Sequence, residues 1–173
     1  MYSVIQAPDE RLRVKTKPVK KITEKHQKII KDMIKLAKSF HDPEGVGLAS
    51  TQVGLDEQYF VLKHDDGSFE AVFNPQIVSY SKRTKKFFEG CLSIPQFWGE
   101  VERPVAISVK FQNGDGQEIK KRLKGLDAWI FQHEFDHLQG RLYMDLVMEQ
   151  KGKLYKVAGK DRAGADVFEQ VPL

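Results

Sequence analysis

Two histidines four residues apart, in His133-Glu134-Phe135-Asp136-His137, carry the most chemistry in this sequence. On a helix that spacing projects both imidazoles from one face, where they can close on a single metal ion. Glu134 then stands about 100° further round, placed to reach a metal-bound water without being a ligand. A cation so held needs a third protein ligand and one position left for water. No histidine follows His137, and the nearest downstream acids are Asp145 and Glu149. The other candidate is Cys91, the one cysteine of the chain. It ends a strand-like run in Phe87-Phe88-Glu89-Gly90-Cys91-Leu92-Ser93, where Gly90 permits a tight backbone path beside an ion. A third segment, Gly45-Val46-Gly47-Leu48-Ala49-Ser50-Thr51-Gln52, joins two glycines that let a ligand approach the backbone to an amide side chain able to donate hydrogen bonds. Each has a plain alternative: hydrogen-bonded core histidines, a cysteine as apolar filling, a simple turn.

The elements that must hold these residues are visible in the pattern. Leu126, Trp129, Ile130, Phe131, Phe135 and Leu138 surround the histidine helix almost completely, so it should be buried, with Asp127 as its cap and Gly140 as a left-handed terminator. Burial argues against purely structural histidines, because Glu134 and Asp136 would then be carboxylates in an apolar shell with nothing to neutralise them. Residues 23 to 40 read as an amphipathic helix capped by Thr23, with Ile29, Ile30, Met33, Ile34, Ala37 and Phe40 on one face and lysines 25, 28, 31, 35 and 38 on the other. Pro43, Gly45 and Gly47 predict a loop over residues 41 to 52. Between Tyr59 and Lys124 the chain reads as short β-branched and aromatic strands, ending in a hairpin around Asn113-Gly114-Asp115-Gly116. The expected architecture is α+β, antiparallel sheets around a central buried metal-binding helix. Residues 1–173 form a single catalytic domain in this reading, and the tail from about 150 to 173 is strand or irregular.

Composition narrows the class. The chain has 173 residues, 40% hydrophobic and 30% charged, with 13 Gly and 7 Pro, which excludes collagen, disorder and coiled coil as global descriptions. A single cysteine cannot form an internal disulfide, so an extracellular stapled scaffold is out. No apolar stretch approaches the ~18 residues of a membrane span, and the first residues lack the layout of a secretion signal. A cytoplasmic location, or the matrix of an organelle for a mature organellar form, is therefore expected, with no membrane partner. The net charge of +4 conceals an asymmetry, since residues 1 to 40 hold 11 Lys/Arg against 4 Asp/Glu.

Taken in order, the three segments resemble the motifs of the peptide deformylase family. Gly45 to Gln52 is similar to its first motif, Glu89-Gly90-Cys91-Leu92-Ser93 to its second, and His133 to His137 to its third. Asp9-Glu10-Arg11-Leu12-Arg13 and Lys17-Pro18-Val19 extend the likeness towards the start, and Ser50 stands where the family more often has alanine. The resemblance implies a hydrolase that removes the formyl group from N-formylmethionine of nascent polypeptides. Its metal would be Cys91-, His133- and His137-bound ferrous iron, although a thiolate and two imidazoles also suit Zn²⁺, Ni²⁺ or Co²⁺. Glu134 would be the general acid–base, and the Gln52 amide and Leu92 N–H would stabilise charge on the former carbonyl oxygen.

Leu126, Trp129 and Ile130 share the helical stripe of the histidines, so an apolar pocket for the methionine side chain is expected there, completed by Val46 and Phe87. The peptide would lie extended along Gly45 to Gly47 as an added strand. The resemblance also implies that Glu89 and Arg103 form an ion pair bracing the metal-bearing strand, the plain alternative being a surface pair. The tail lacks the basic helix through which many relatives contact the ribosome, so transient ribosome association would fall to the lysine face of the first helix, in a monomeric enzyme. Two rival readings remain at this level: a zinc endopeptidase with Asp145 or Glu149 as third ligand, and a non-enzymatic RNA-binding module with structural histidines.

Overall fold

Apolar residues at three- and four-residue spacings wind Glu24–Lys38 into α1, whose buried face of Ile29, Ile30, Met33 and Ala37 leaves all five lysines exposed. Thr23 is the N-cap as expected, but its backbone N–H donates to His26 Nδ1 at 3.1 Å, a role for that buried histidine which periodicity does not reveal. A computed structural model of the chain describes residues 2–173. None of its helices is long and apolar enough to cross a membrane.

The alternating segments form two antiparallel sheets. The first runs β1-β2-β3-β6-β7, from Gly47–Ala49 (β1), Tyr59–Lys63 (β2), Phe69–Tyr80 (β3), Ala106–Gln112 (β6) and Glu118–Lys124 (β7). The second runs β4-β5-β8-β9, from Thr84–Cys91 (β4), Ile94–Pro104 (β5), Leu154–Lys160 (β8) and Asp166–Val171 (β9). The residues expected to be a loop at 41 to 52 thus contain a short strand, because Gly47 to Ala49 pair with Phe60 to Leu62, followed by a 3-10 turn over Ser50–Val53.

Between the sheets lies α2, Gly125–Leu138, with a short third helix, α3, at Tyr143–Glu149. Ala128, Ile130, Phe131 and Leu138 of α2 pack with Phe60, Leu62, Val72, Ile107, Val109 and Phe111 of the first sheet in one core cluster. Burial of this kind contributes about 25 cal/mol per Å² of apolar surface, so packing rather than propensity holds α2 in place. Two expectations about its ends differ. Asp127 does not cap it, because the helix starts two residues earlier, after Lys124. Leu126 is 48% exposed rather than buried, since it sits in the first turn at the molecular surface. At the other end Gly140 has φ +71°, and a Cβ there would overlap the Arg13 carbonyl, so the turn requires glycine twice over.

Candidate metal centre

Cys91 reaches the centre because of an irregularity in β4. The β4–β5 ladder runs in register from Thr84↔Pro104 to Gly90↔Trp98, then shifts between Gly90 and Cys91. Such a bulge re-aims the residue it carries. Cys91 is buried, and its Sγ lies 3.3 Å from His137 Nε2. One ligand atom from each of Cys91, His133 and His137 falls within 4.8 Å of the others. A soft thiolate with two imidazoles is a donor set that suits a transition metal, so the residues present fit one. Asp145 and Glu149 are elsewhere: Asp145 pairs with Arg13 and accepts the Leu142 N–H, and Glu149 pairs with Arg141.

The imidazoles differ in their support. His133 donates its Nδ1–H to Glu89 Oε2 at 2.8 Å, which leaves Nε2 for an ion. Glu89 is fully buried and also takes two bonds from Arg103, whose third nitrogen reaches Asp136 Oδ2 at 2.9 Å. Burial alone would raise the Glu89 pKa, but the His133 bond and the Arg103 guanidinium outweigh it and hold it at about 2. Asp136 thereby finds a place that sequence left open. The sequence shows only its position three residues after His133, on the same side of the helix, and the partner that places it, Arg103, belongs to β5. Burial opposes a proton on His133, yet the Cys91 thiol and Glu89 carboxylate favour it and hold the pKa well above the ordinary imidazole value. His137 is held well below it by burial and by His133, and its buried Nδ1 has no hydrogen-bond partner among the described residues.

Glu134 points from the same helix into a cleft lined by Pro43, Glu44, Val46, Gly47, Gln52, Gly90, Cys91, Leu92, Trp129, Ile130 and His133. Its carboxyl is buried, Oε2 has no partner among the described residues, and desolvation lifts its pKa to about 7. Gly47 is the reason it fits, because a Cβ on that residue would overlap Oε1. Gln52 is oriented from behind: its Oε1 accepts the Ala49 N–H at 2.9 Å, which turns Nε2 towards Ser93 Oγ at 3.0 Å and Cys91 Sγ at 3.5 Å. Ser93 was not anticipated, although it stands two residues beyond Cys91. The segment before the first turn links both motifs, with Ile5 N–H donating to the Gln52 carbonyl and Ala7 N–H to the Ser93 carbonyl, each at 2.8 Å.

Of the residues expected to form the pocket, Val46, Gly47, Trp129 and Ile130 line the cleft. Phe87 stands behind Trp129, its ring stacked 5.3 Å away at 3°. Gly45 packs against the end of α1 instead, where a Cβ would overlap the Ala37 carbonyl, and Leu126 faces a separate groove.

A helix bearing H-E-x-x-H, a strand cysteine and a buried carboxylate in one cleft define a metal-binding hydrolase of the α+β class. The chain belongs to the polypeptide deformylase family, whose model matches residues 1–153. It is similar to the peptide deformylase of Thermotoga maritima, 40% identical over 156 residues that cover 90% of this chain and 93% of that one. That of Polynucleobacter necessarius is 41% identical over 147 residues, 84% of each chain. The crystal structure of the Thermotoga maritima enzyme superposes with a TM-score of 0.79, covering 84% of this chain and 97% of that one. Membership makes the chain an enzyme that removes formyl groups from nascent peptides.

Proposed function

We propose that the whole chain acts as one cytoplasmic catalytic domain that hydrolyses the formamide of N-formylmethionyl peptides, with Cys91, His133 and His137 holding ferrous iron. The observation that carries this reading is the convergence of the three ligand atoms within 4.8 Å, beside a buried carboxylate oxygen that has no partner among the described residues. A divalent metal, when bound there, would supply a water acidified to a pKa of about 7 and would polarise a carbonyl. Glu134 accepts the proton of the attacking water and delivers it to the departing amine, so that the formyl C–N bond breaks to give formate and a free α-amine. A carboxyl with a pKa of about 7 suits both halves of that exchange. The Gln52 amide, already turned towards Cys91, and the Leu92 backbone N–H donate to the oxygen on which charge develops.

Val46, Trp129 and Ile130 hold the methionine side chain, and Phe87 keeps Trp129 in position by stacking on it. β1 is an edge strand, paired with β2 on one side only. Its open edge and the adjacent Gly45–Gly47 backbone receive the peptide as an added strand, which leaves little discrimination beyond the first residue.

Anaerobic assay of formyl-Met-Ala-Ser against its acetyl counterpart, with metal content measured on the same samples, tests this reading. The formyl peptide alone is expected to turn over. Glu134→Ala should retain metal and lose at least ~10² in kcat, whereas Cys91→Ala should lose metal. A Glu134→Ala protein with near-normal deformylation would overturn the assignment.

A further inference from the structure

We propose that the groove where the two sheets meet, beside the start of α2 and adjoining the catalytic cleft at Trp129, binds single-stranded RNA. Two strand ends from different sheets form its walls. Arg83, Lys85 and Phe87 alternate along one wall and so share a face, and Arg122 and Lys124 do the same along β7 on the other. Val105 joins the walls. Its N–H donates to the Arg83 carbonyl at 3.1 Å and its carbonyl accepts the Gly125 N–H at 2.9 Å, so main-chain bonds keep the groove open.

Charge is sorted in an informative way along these strands. Arg83, Lys85, Arg122 and Lys124 are all exposed, and no acidic residue lines the groove among the described residues. Of the lysines on the opposite faces, Lys86 lies 3.7 Å from Glu100 and Lys121 2.8 Å from Glu70; further along the groove face of β7, Lys120 is held by Glu118 at 3.1 Å. Arg83, Lys85, Arg122 and Lys124 form no ion pair among the described residues, which leaves all four for an external anion. The floor narrows what that anion is. Trp129, Phe87, Leu126 and Val105 present ring and aliphatic surface between the cationic walls, with Lys85 Nζ 5.9 Å from the centre of the Phe87 ring. Phosphates on flanking cations with bases against apolar and aromatic surface is how single strands are held without sequence readout. An acidic peptide would use the walls and leave the floor without a role. Asp32 interrupts the lysine face of α1, and the cavity beside its Lys38 is lined by the carboxylate of Glu44 as well.

Fluorescence anisotropy with a labelled mixed-sequence RNA of about 12 nucleotides tests the site without any turnover, and so independently of the catalytic reading. The Arg83→Glu/Arg122→Glu variant is compared with Lys28→Glu/Lys35→Glu on α1, which makes the same change in charge. The groove variant should bind about tenfold or more weakly, with its salt slope falling from about −3 to about half that, while the α1 variant stays within about twofold of wild type. Turnover of formyl-Met-Ala-Ser should be unaffected by the groove substitutions. Equal losses in the two variants, loss only in the α1 variant, or wild-type affinity weaker than about 100 μM at physiological salt would overturn the proposal. So would an oligoglutamate of matched charge that competes as well as unlabelled RNA. Should the glutamate variant fail to fold, Arg83→Gln/Arg122→Gln is read by the same criteria.

Discussion

At the scale of single residues, the site depends as much on a missing side chain as on those present. Gly47 lies against the Glu134 carboxylate so closely that a methyl group has no room. Gly47→Ala is expected to push Glu134 out of line and lower kcat by about 10²-fold with metal content unchanged, because a displacement near 1 Å is enough to lose that factor. Steady-state kinetics beside metal analysis on one preparation separates this from loss of the ion. Gln52→Ala should cost a similar ~10²–10³ in kcat, since it removes one donor to the developing oxyanion. Its partner Ser93 gives a graded control: Ser93→Ala frees the amide that Ser93 Oγ holds at 3.0 Å, and a smaller loss is expected.

At the scale of elements, α2 and β4 are coupled through buried charge. Arg103 is 3% exposed and holds two carboxylates, Glu89 below His133 and Asp136 on the next turn. Arg103→Met would strand both in an apolar setting, for which a loss of about 3–5 kcal/mol in unfolding free energy is expected, read from urea denaturation. Glu89→Gln should weaken metal affinity by about 10–100-fold, because His133 loses its anionic support. The two histidines, Glu134 and the amphipathic stripe of α1 were legible in the sequence because each rests on one helical period. What joins elements was less so. β5 mixes Ile94-Pro95-Gln96 with Gly99 and Pro104 and shows no clean alternation, so the strand opposite the metal-bearing one is invisible to pattern. Leu126 shares the stripe of Trp129 and Ile130, yet periodicity cannot tell that its turn projects past the sheets. Asp136 could not be placed from one helix alone, since its partner is a residue of another sheet.

At the scale of the molecule, residues beyond the family match build a hairpin that completes the second sheet. β8 pairs with β5 through Phe97↔Lys156 to Gly99↔Leu154, and Leu154 joins Cys91, Val101, Tyr143 and Val147 in one core cluster. Phe168 of β9 packs edge-on to Phe88 at 5.1 Å, and Trp98 lies 5.4 Å from Phe88 on the same face. A chain ending at Lys153 would expose the β5 edge together with that aromatic surface. It is expected to melt several degrees lower, at about 2–4 °C per kcal/mol lost, and to self-associate, as calorimetry and gel filtration would record.

The two hydrogen bonds from Ile5 and Ala7 bear on how the molecule can be handled. They make its opening residues a tie-rod between the halves of the reaction chamber rather than a loose lead-in. Anything bulky fused upstream would tug on Gln52 and Ser93 together, so purification handles and immobilisation linkers belong after Leu173, which is already 55% exposed.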